Sequence, residues 1–340
     1  MPKRIFKFTN AQTAFYTGEH FSRLKKIVDI QSAVIITDEH IFLAHQKKFE
    51  NWNTIVLKPG ENFKIQATVD SVIEQLIDMQ ADRKTMLIGV GGGVVTDITG
   101  YVASIYLRGI SFGFMPTSVL AMVDAAIGGK NGIDVGVYKN MVGSIRQPSF
   151  IFYDLAFLNT LPQLEWENGF AEIIKHGCIK DEKIFSMLEK KSLRSFQRSK
   201  KLMAALINRN ALLKIKLVQK DEFENGERRL LNFGHTIGHA LENQYELTHG
   251  QAIAIGMTYA ANISEQLNGF TQTKKLTNLL EKYHLPTYAT YNQEKVFAVL
   301  KMDKKREKEF IHYVLLEKIG KAVLQPIPLK KFSKILESLS

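Results

Sequence analysis

The sequence predicts two domains of different class: an α/β N-terminal domain over residues 1–160 and an all-α C-terminal domain over residues 161–340. Three observations carry that expectation. The first half alternates short β-branched or aromatic runs with amphipathic ones, the pattern of a parallel sheet with helices on its faces. A glycine cluster stands directly between one of those runs and the helical segment after it. From about Pro162 the character changes to long stretches of helical periodicity, which puts the boundary near residues 155–163.

SAVIITD, NTIVLKPG, TMLIGV, SFGFMP and SFIFYD read as strands, each bounded by turn residues. Between the second and third lies KIQATVDSVIEQLIDMQ, where Val69, Val72, Ile73, Leu76 and Ile77 recur at helical spacing. TMLIGVGGGVVTDITGYVASIYL then places Gly89, Gly91, Gly92 and Gly93 after a strand and before a helix. Glycines there let backbone N–H groups approach a phosphate, and the helix start attracts the anion. The run is neither a Walker loop nor a G-x-G-x-x-G, but its strand–turn–helix context suits a dinucleotide pyrophosphate. Asp97, one turn into that helix, can bond a ribose or substrate hydroxyl, or simply serve the helix dipole.

A second glycine stretch, VDAAIGGKNGIDVGVYKNMVGSIRQP, reads as a close-approach loop with cations. Lys130 and Lys139 there are either point charges for a phosphate or carboxylate, or ordinary solvated lysines. In the second half ENGFAEIIKHGCI, SKKLMAALINRNALLKIKLV, HTIGHALENQY and QAIAIGMTYAANISEQL read as helices, and FIHYVLLE and KAVLQPI as short strands near the end.

Composition narrows the function classes. The formal net charge is +11, but the lysines are scattered, and no aromatic–basic RNA motif or zinc-finger spacing accompanies them. A small acidic ligand therefore fits better than nucleic acid. No apolar run reaches the length of a membrane span, and MPKRIFKFTN has no long apolar h-region. With one cysteine, Cys178, no internal disulfide can form, and a reducing cytoplasm is the expected setting.

The chemistry concentrates in NFGHTIGHALENQYELTHG, residues 232–250, which holds three of the chain's nine histidines. His235 and His239, four apart, share a helix face, and His249 follows that helix. A catalytic zinc takes three protein ligands and keeps one position open, so two histidines and a carboxylate would serve. There is no HExxH. Spacing alone nominates His235 and His239 as the histidine pair. Glu172 of GFAEIIKHG is a candidate carboxylate: with Lys175 it forms a charged i,i+3 pair on an otherwise apolar helix, which needs a reason if buried. His176 and His284 stand alone and read as structural.

With these pieces in order, the chain resembles the 3-dehydroquinate synthase family. The likeness runs from about VIITDEHI to VLLEKIG. It rests on PGENFK, GGGVVTD, YLRGI, VDAAIGGKNGI with KN, TLPQLE, GFAEIIKHG, DEFENGERRLLNFGHTIGHALE, HGQAIAIGM and MDKK. The resemblance implies a Rossmann-like NAD-binding domain, a helical metal- and substrate-binding domain, and an active site in the cleft between them. It implies that Glu172, His235 and His249 hold Zn2+ or Co2+, with His239 facing the substrate. Lys130, Lys139, Asn140, Lys175, Lys214, Arg228 and Asn232 fall at substrate positions, and Lys304 or Lys305 of MDKK would add a cation. Arg108 of YLRGI matches the arginine that reaches across a homodimer interface. NAD positions match Asp38, Glu61, Lys64, Gly92, Gly93, Asp97, Thr117, Ser118, Asp124, Thr160, Leu161 and Glu165, with Lys130 and Lys139 facing cofactor as well as substrate.

The implied substrate is 3-deoxy-D-arabino-heptulosonate 7-phosphate, whose negative charges account for the family's lysines and arginines. The implied reaction is transient oxidation of a ring hydroxyl by NAD, β-elimination of phosphate, re-reduction, ring opening and aldol closure to 3-dehydroquinate. The chain departs from the family pattern at Asn131 and Asp134 of GGKNGID, at Ser118 of PTS, and at DEH after Thr37. Two other readings follow from the same motifs: a related sugar-phosphate cyclase acting on another substrate, and an iron-type polyol dehydrogenase, which would need no phosphate cradle.

Overall fold

The structure is a computed structural model, and it describes residues 3–136, 138–242, 244–290, 292, 306–307 and 309–339. The chain divides into two compact units. One takes in Met1–Trp166 and Lys214–Phe223, the other Glu167–Leu213 and Glu224–Ser340.

The first unit is built on a seven-stranded sheet of order β1-β2-β9-β6-β5-β3-β4. Its strands are β1 (Lys3–Lys7), β2 (Gln12–Tyr16), β3 (Ala33–Asp38), β4 (Asn53–Leu57), β5 (Met86–Gly91), β6 (Ser111–Pro116) and β9 (Phe150–Phe152). All pairings are parallel except β1 with β2. The five strands read from the sequence are β3, β4, β5, β6 and β9. Their apolar residues run without strict alternation because a parallel sheet is covered on both faces. Ile35, Ile36, Leu87, Ile88 and Phe152 are accordingly fully buried.

Helices α1 (Glu39–Ala44), α2 (Gln46–Phe49), α3 (Gln66–Asp78) and α4 (Gly93–Ile105) connect these strands. On α3 the buried stripe is Val69, Val72 and Leu76, while Ile77 is 60% exposed. The sheet order reverses between β3 and β5: β4 lies outside β3, and β6 and β9 lie outside β5. Such a switch opens a crevice at the carboxyl ends of the two strands, where open α/β sheets bind ligands. Asp38 ends β3, and the glycine turn follows β5.

Two features of this unit differ from the sequence reading. The β1–β2 hairpin was not anticipated, because KRIFK and QTAFY are short and alternate poorly. The stretch read as a close-approach loop is an antiparallel hairpin of β7 (Lys130–Val135) and β8 (Tyr138–Ile145). Its glycines, Gly132 and Gly143, face each other across the ladder and mask the strand pattern.

The second unit is helical: α5 (Gln163–Ile179), α6 (Glu182–Lys190), α7 (Leu193–Arg198), α8 (Lys200–Lys220), α9 (His235–Glu242), α10 (His249–Asn268), α11 (Thr273–Lys282) and α12 (Leu329–Ser338). The first turn of α5 and the end of α8 from Lys214 belong to the first unit. The unit also carries an antiparallel sheet of β10 (Arg306–Glu307), β11 (Phe310–Lys318) and β12 (Lys321–Pro328). FIHYVLLE and KAVLQPI form β11 and β12. Between residues 168 and 179 every position of α5 is buried, so its polar residues must find partners inside the protein.

Candidate metal and dinucleotide sites

The helical unit brings a carboxylate and two imidazoles together. Glu172, on the fully buried run of α5, is 0% exposed. Its Oε2 is paired with Lys175 Nζ one turn along the same helix. Its Oε1 faces two rings: His249 Nε2 at 3.2 Å and His235 Nε2 at 3.5 Å. Ligand atoms of these three residues lie within 4.8 Å of one another, the mixed nitrogen–oxygen donor set that a zinc-type cation takes. Burial by itself would lower the His249 pKa, but hydrogen bonds and charge from Glu172 and Glu242 outweigh it and hold the value up at about 10.

Local structure explains the convergence. His235 opens α9 and His249 opens α10, and the two helices pack against each other. Close approach is secured by glycine: a Cβ on Gly256 would come 1.9 Å from the Gly234 carbonyl oxygen. The start of α10 is held by a capping box of Thr248 with Gln251. It is tied to α5 through Asn168 Oδ1, which accepts from Thr248 Oγ1 at 2.6 Å and from the Gly250 N–H at 3.2 Å. His239 stands beside the cluster, its ring 5.1 Å from that of His235 and 6.3 Å from that of His249. The pair nominated by spacing alone therefore differs from the pair whose Nε2 atoms face Glu172.

Other residues of this unit fall as follows. Arg228 is 2% exposed, and Asn232 Nδ2 donates to Glu224 Oε1 at 2.7 Å. His176 is fully buried, with Nδ1 3.0 Å from Asn210 Oδ1, in keeping with a structural histidine. Lys304 and Lys305 lie outside the described residues. Glu242 and Asn168 were missed in the sequence reading. The only signal for Glu242 was its place seven residues after His235, on the same helix face.

In the α/β unit the glycine turn stands between β5 and α4, the strand–turn–helix context read from the sequence. Gly92 caps α4 without any side-chain hydrogen bond, leaving the first-turn N–H groups open to an anion. A Cβ on Gly91 would meet Val95 at 2.5 Å, so the turn can be this tight only with glycine. Buried Thr117 and Ser118 follow β6, the Thr117 N–H donating to Gly91 O and Ser118 Oγ accepting from the Ala121 N–H. Asp38 caps α1 through the Ile41 N–H; burial raises its pKa.

Lys64 is buried between Asp97 Oδ2 and Asn140 Oδ1, each 2.6 Å from its Nζ, with Glu61 at 3.8 Å. Burial would lower its pKa, but Asp97 and Glu61 more than offset that and raise it. Lys214 Nζ donates to Asp124 Oδ1 at 2.7 Å and to the Asp124 carbonyl at 2.8 Å, joining two residues far apart in sequence. Thr160 Oγ1 lies 3.0 Å from His45 Nε2, with Leu161 and Glu165 half-buried just after it. Lys130 pairs with Ile145 at one end of the β7–β8 hairpin, whereas Lys139 follows Tyr138 at the other, so the two lysines are not neighbours. Arg108 is exposed on left-handed backbone with φ 66°.

The departures at Asn131 and Asp134 have structural explanations. Asn131 Nδ2 donates to the Gly129 and Arg146 carbonyls, closing the base of the hairpin. Asp134 Oδ1 accepts the Asn140 N–H at 2.7 Å, steadying a residue with φ 54°.

One unit with a switch-point sheet and an open helix start, and another with a Glu–His–His cluster, define the dehydroquinate synthase-like class of nucleotide- and metal-dependent enzymes. Family models for 3-dehydroquinate synthase match residues 54–168 (N-terminal) and 169–306 (C-terminal). The 3-dehydroquinate synthase of Clostridium acetobutylicum is 37% identical over 332 residues, covering 92% of each chain. That of Methylacidiphilum infernorum is 42% identical over 273 residues, 78% of this chain and 74% of its own. The chain belongs to the 3-dehydroquinate synthase family. Among solved structures it is similar to 2-deoxy-scyllo-inosose synthase complexed with carbaglucose-6-phosphate, NAD+ and Co2+ (TM-score 0.86, 26% identity, 99% of each chain). It is also similar to a 2-epi-5-epi-valiolone synthase from Streptomyces hygroscopicus with NAD+ and Zn2+ (TM-score 0.88, 25% identity, 99% of each chain). An iron-containing alcohol dehydrogenase from Thermotoga maritima shares the fold (TM-score 0.67, 12% identity, 98% of this chain and 99% of that one).

Proposed function

We propose that this chain is a 3-dehydroquinate synthase, converting 3-deoxy-D-arabino-heptulosonate 7-phosphate to 3-dehydroquinate and phosphate in the shikimate pathway. The observation that carries this reading is the convergence of His235 Nε2 and His249 Nε2 on Glu172 Oε1 in a chain of this family. When bound, NAD would take a hydride from a ring carbinol and later return it, and Zn2+ or Co2+ at Glu172, His235 and His249 would polarise that hydroxyl.

The chain's own residues hold and orient charge. Lys175 fixes the Glu172 carboxylate through Oε2 and leaves Oε1 for the cation. Arg228, Asn232, His239, Lys130, Lys139, Asn140 and Lys214, which fall at the family's substrate positions, hold the substrate's phosphate, carboxylate and hydroxyls. Asp38, Glu61, Lys64, Asp97, Asp124 and the turn at Gly92–Gly93 seat the dinucleotide, with Thr117, Ser118, Thr160, Leu161 and Glu165 around it. The substrate's phosphate oxygen takes the proton acidified by the new ketone as the phosphate leaves, so no side chain need act as that base. Lys304 or Lys305 would add a further cation.

The cytoplasm is where we place the chain, on its single cysteine; no helix among the described residues is long and apolar enough to cross a membrane. A homodimer is supported by Arg108, which sits beside exposed Ile105 and Leu107 on left-handed backbone. The test is phosphate release from the heptulosonate phosphate with NAD and zinc supplied, followed with absorbance of NADH. Phosphate and dehydroquinate forming with no net NADH is the expected result. Absence of phosphate release would sink the assignment. A second reading, another sugar-phosphate cyclase, draws on the two cyclase structures. It gains nothing from Asn131 and Asp134, whose side chains are engaged within the hairpin.

A further inference from the structure

Glu242 ends α9 with its side chain only 8% exposed, and its Oε2 lies 3.6 Å from His249 Nδ1. That is ion-pair reach, a few tenths of an ångström beyond a hydrogen bond. The other nitrogen of the same ring, Nε2, faces Glu172 Oε1 at 3.2 Å. The His249 ring thus lies between two carboxylates, one at each nitrogen.

His235 shows the same arrangement with a different acceptor. Its Nδ1 lies 3.1 Å from the Phe233 carbonyl oxygen, and its Nε2 turns to Glu172. In both rings an oxygen near Nδ1 favours keeping a proton on that nitrogen. A cation at Nε2 would then displace only the proton that this nitrogen turns toward Glu172 Oε1. The acceptors differ in charge, a neutral carbonyl for His235 and a carboxylate for His249. An anion opposite the ligating nitrogen makes an imidazole more basic and fixes its orientation.

We propose that Glu242 is a positioning residue for the metal site: it holds the Nδ1 proton of His249, orients that ring, and makes His249 the stronger donor of the two histidines. The proposal rests on the metal reading of Glu172, His235 and His249 given above. His239, Glu242 and His249 also lie close enough to be considered a ligand set of their own. Glu172 argues for the other arrangement, since it faces Nε2 of both His235 and His249.

The test is zinc affinity, measured by competition with a chromophoric chelator, for the parent protein and for Glu242→Ala, Glu242→Gln and Glu172→Ala. Melting of each metal-free protein serves as a control for folding. Glu242→Ala should bind zinc about 10- to 100-fold more weakly. Glu242→Gln keeps an acceptor but not the charge and should fall between Ala and parent, with the metal-free melting of the parent. Glu172→Ala should lose zinc. Parent-like affinity in both Glu242 variants overturns the proposal and leaves the metal site standing. Zinc kept by Glu172→Ala but lost by Glu242→Ala would make Glu242 a ligand and overturn it as well. A parent protein that binds no zinc overturns the metal reading and this inference together.

Discussion

Lys175 and Glu172 form a buried ion pair one helical turn apart on α5, and the pairing uses the carboxylate oxygen that the two histidines do not face. Removing one partner of a buried pair leaves an uncompensated charge, which costs about 3–5 kcal/mol. Lys175→Met should therefore lower the melting temperature of the metal-free protein by many degrees. A bound dication would replace the lost positive charge, so zinc should recover more stability in this variant than in the parent. Melting curves with and without zinc decide it; an unchanged metal-free melting temperature would show that the pair carries no such burden.

The α9–α10 contact depends on Gly256, where a Cβ would fall 1.9 Å from the Gly234 carbonyl oxygen, and backbone cannot yield as a side chain can. Gly256→Ala should destabilise the protein by at least the ~1–3 kcal/mol usual for overpacking. It should also loosen zinc binding, because His235 and His249 begin the two helices it forces apart. Denaturant unfolding and a zinc titration on the same variant test both halves, and parent-like zinc affinity would refute the second.

Lys64 is the hub of an ionic cluster in the α/β unit, bonded to Asp97 and Asn140. Lys64→Met strands the Asp97 carboxylate and should cost about 3–5 kcal/mol. Adding Asp97→Leu should return part of that loss, since the stranded charge goes with it. A double-mutant cycle measures the coupling, expected at about 0.5–3 kcal/mol. Strict additivity would mean that the two side chains do not support each other.

Cys178 is fully buried, and burial raises its thiol pKa well above the ordinary value of 9.0. The folded protein keeps a proton that the unfolded chain gives up above pH 9. Stability from this group is therefore complete below pH 9 and declines as pH rises further, by up to about 1.4 kcal/mol per pH unit. Cys178→Ala should remove that part of the alkaline decline. Native Cys178 should also resist a thiol reagent until denaturant is added; rapid labelling of the folded protein would contradict the burial argument.

Much of the fold was legible because its signals are local. The five parallel strands show as short apolar runs bounded by turn residues, and α3, α5, α8 and α10 as helical periodicity, each within a single stretch. The β7–β8 hairpin did not, because Gly132 and Gly143 occupy ladder positions where a side chain would have shown alternation. The N-terminal hairpin was missed for a related reason: KRIFK sets its two apolar residues side by side among charges, and QTAFY begins polar, so neither alternates nor forms an unbroken apolar run. In the site, Glu172 and Lys175 stood out as charges on an apolar helix, whereas Glu242 was passed over, having no apolar run around it to mark it.

The sequence by itself determined the five parallel strands, the long helices that follow them, the glycine turn after β5 and the supply of imidazoles in one short stretch, since each is written in the type and spacing of nearby residues. Only the tertiary structure decided which imidazole nitrogens meet Glu172. Helical spacing favours His235 with His239, four residues apart on one face. The close packing of α9 on α10 at Gly234 and Gly256 instead brings in His249, fourteen positions beyond His235, and leaves His239 alongside. A ligand set is a matter of distances through space, and those distances are set by how helices pack.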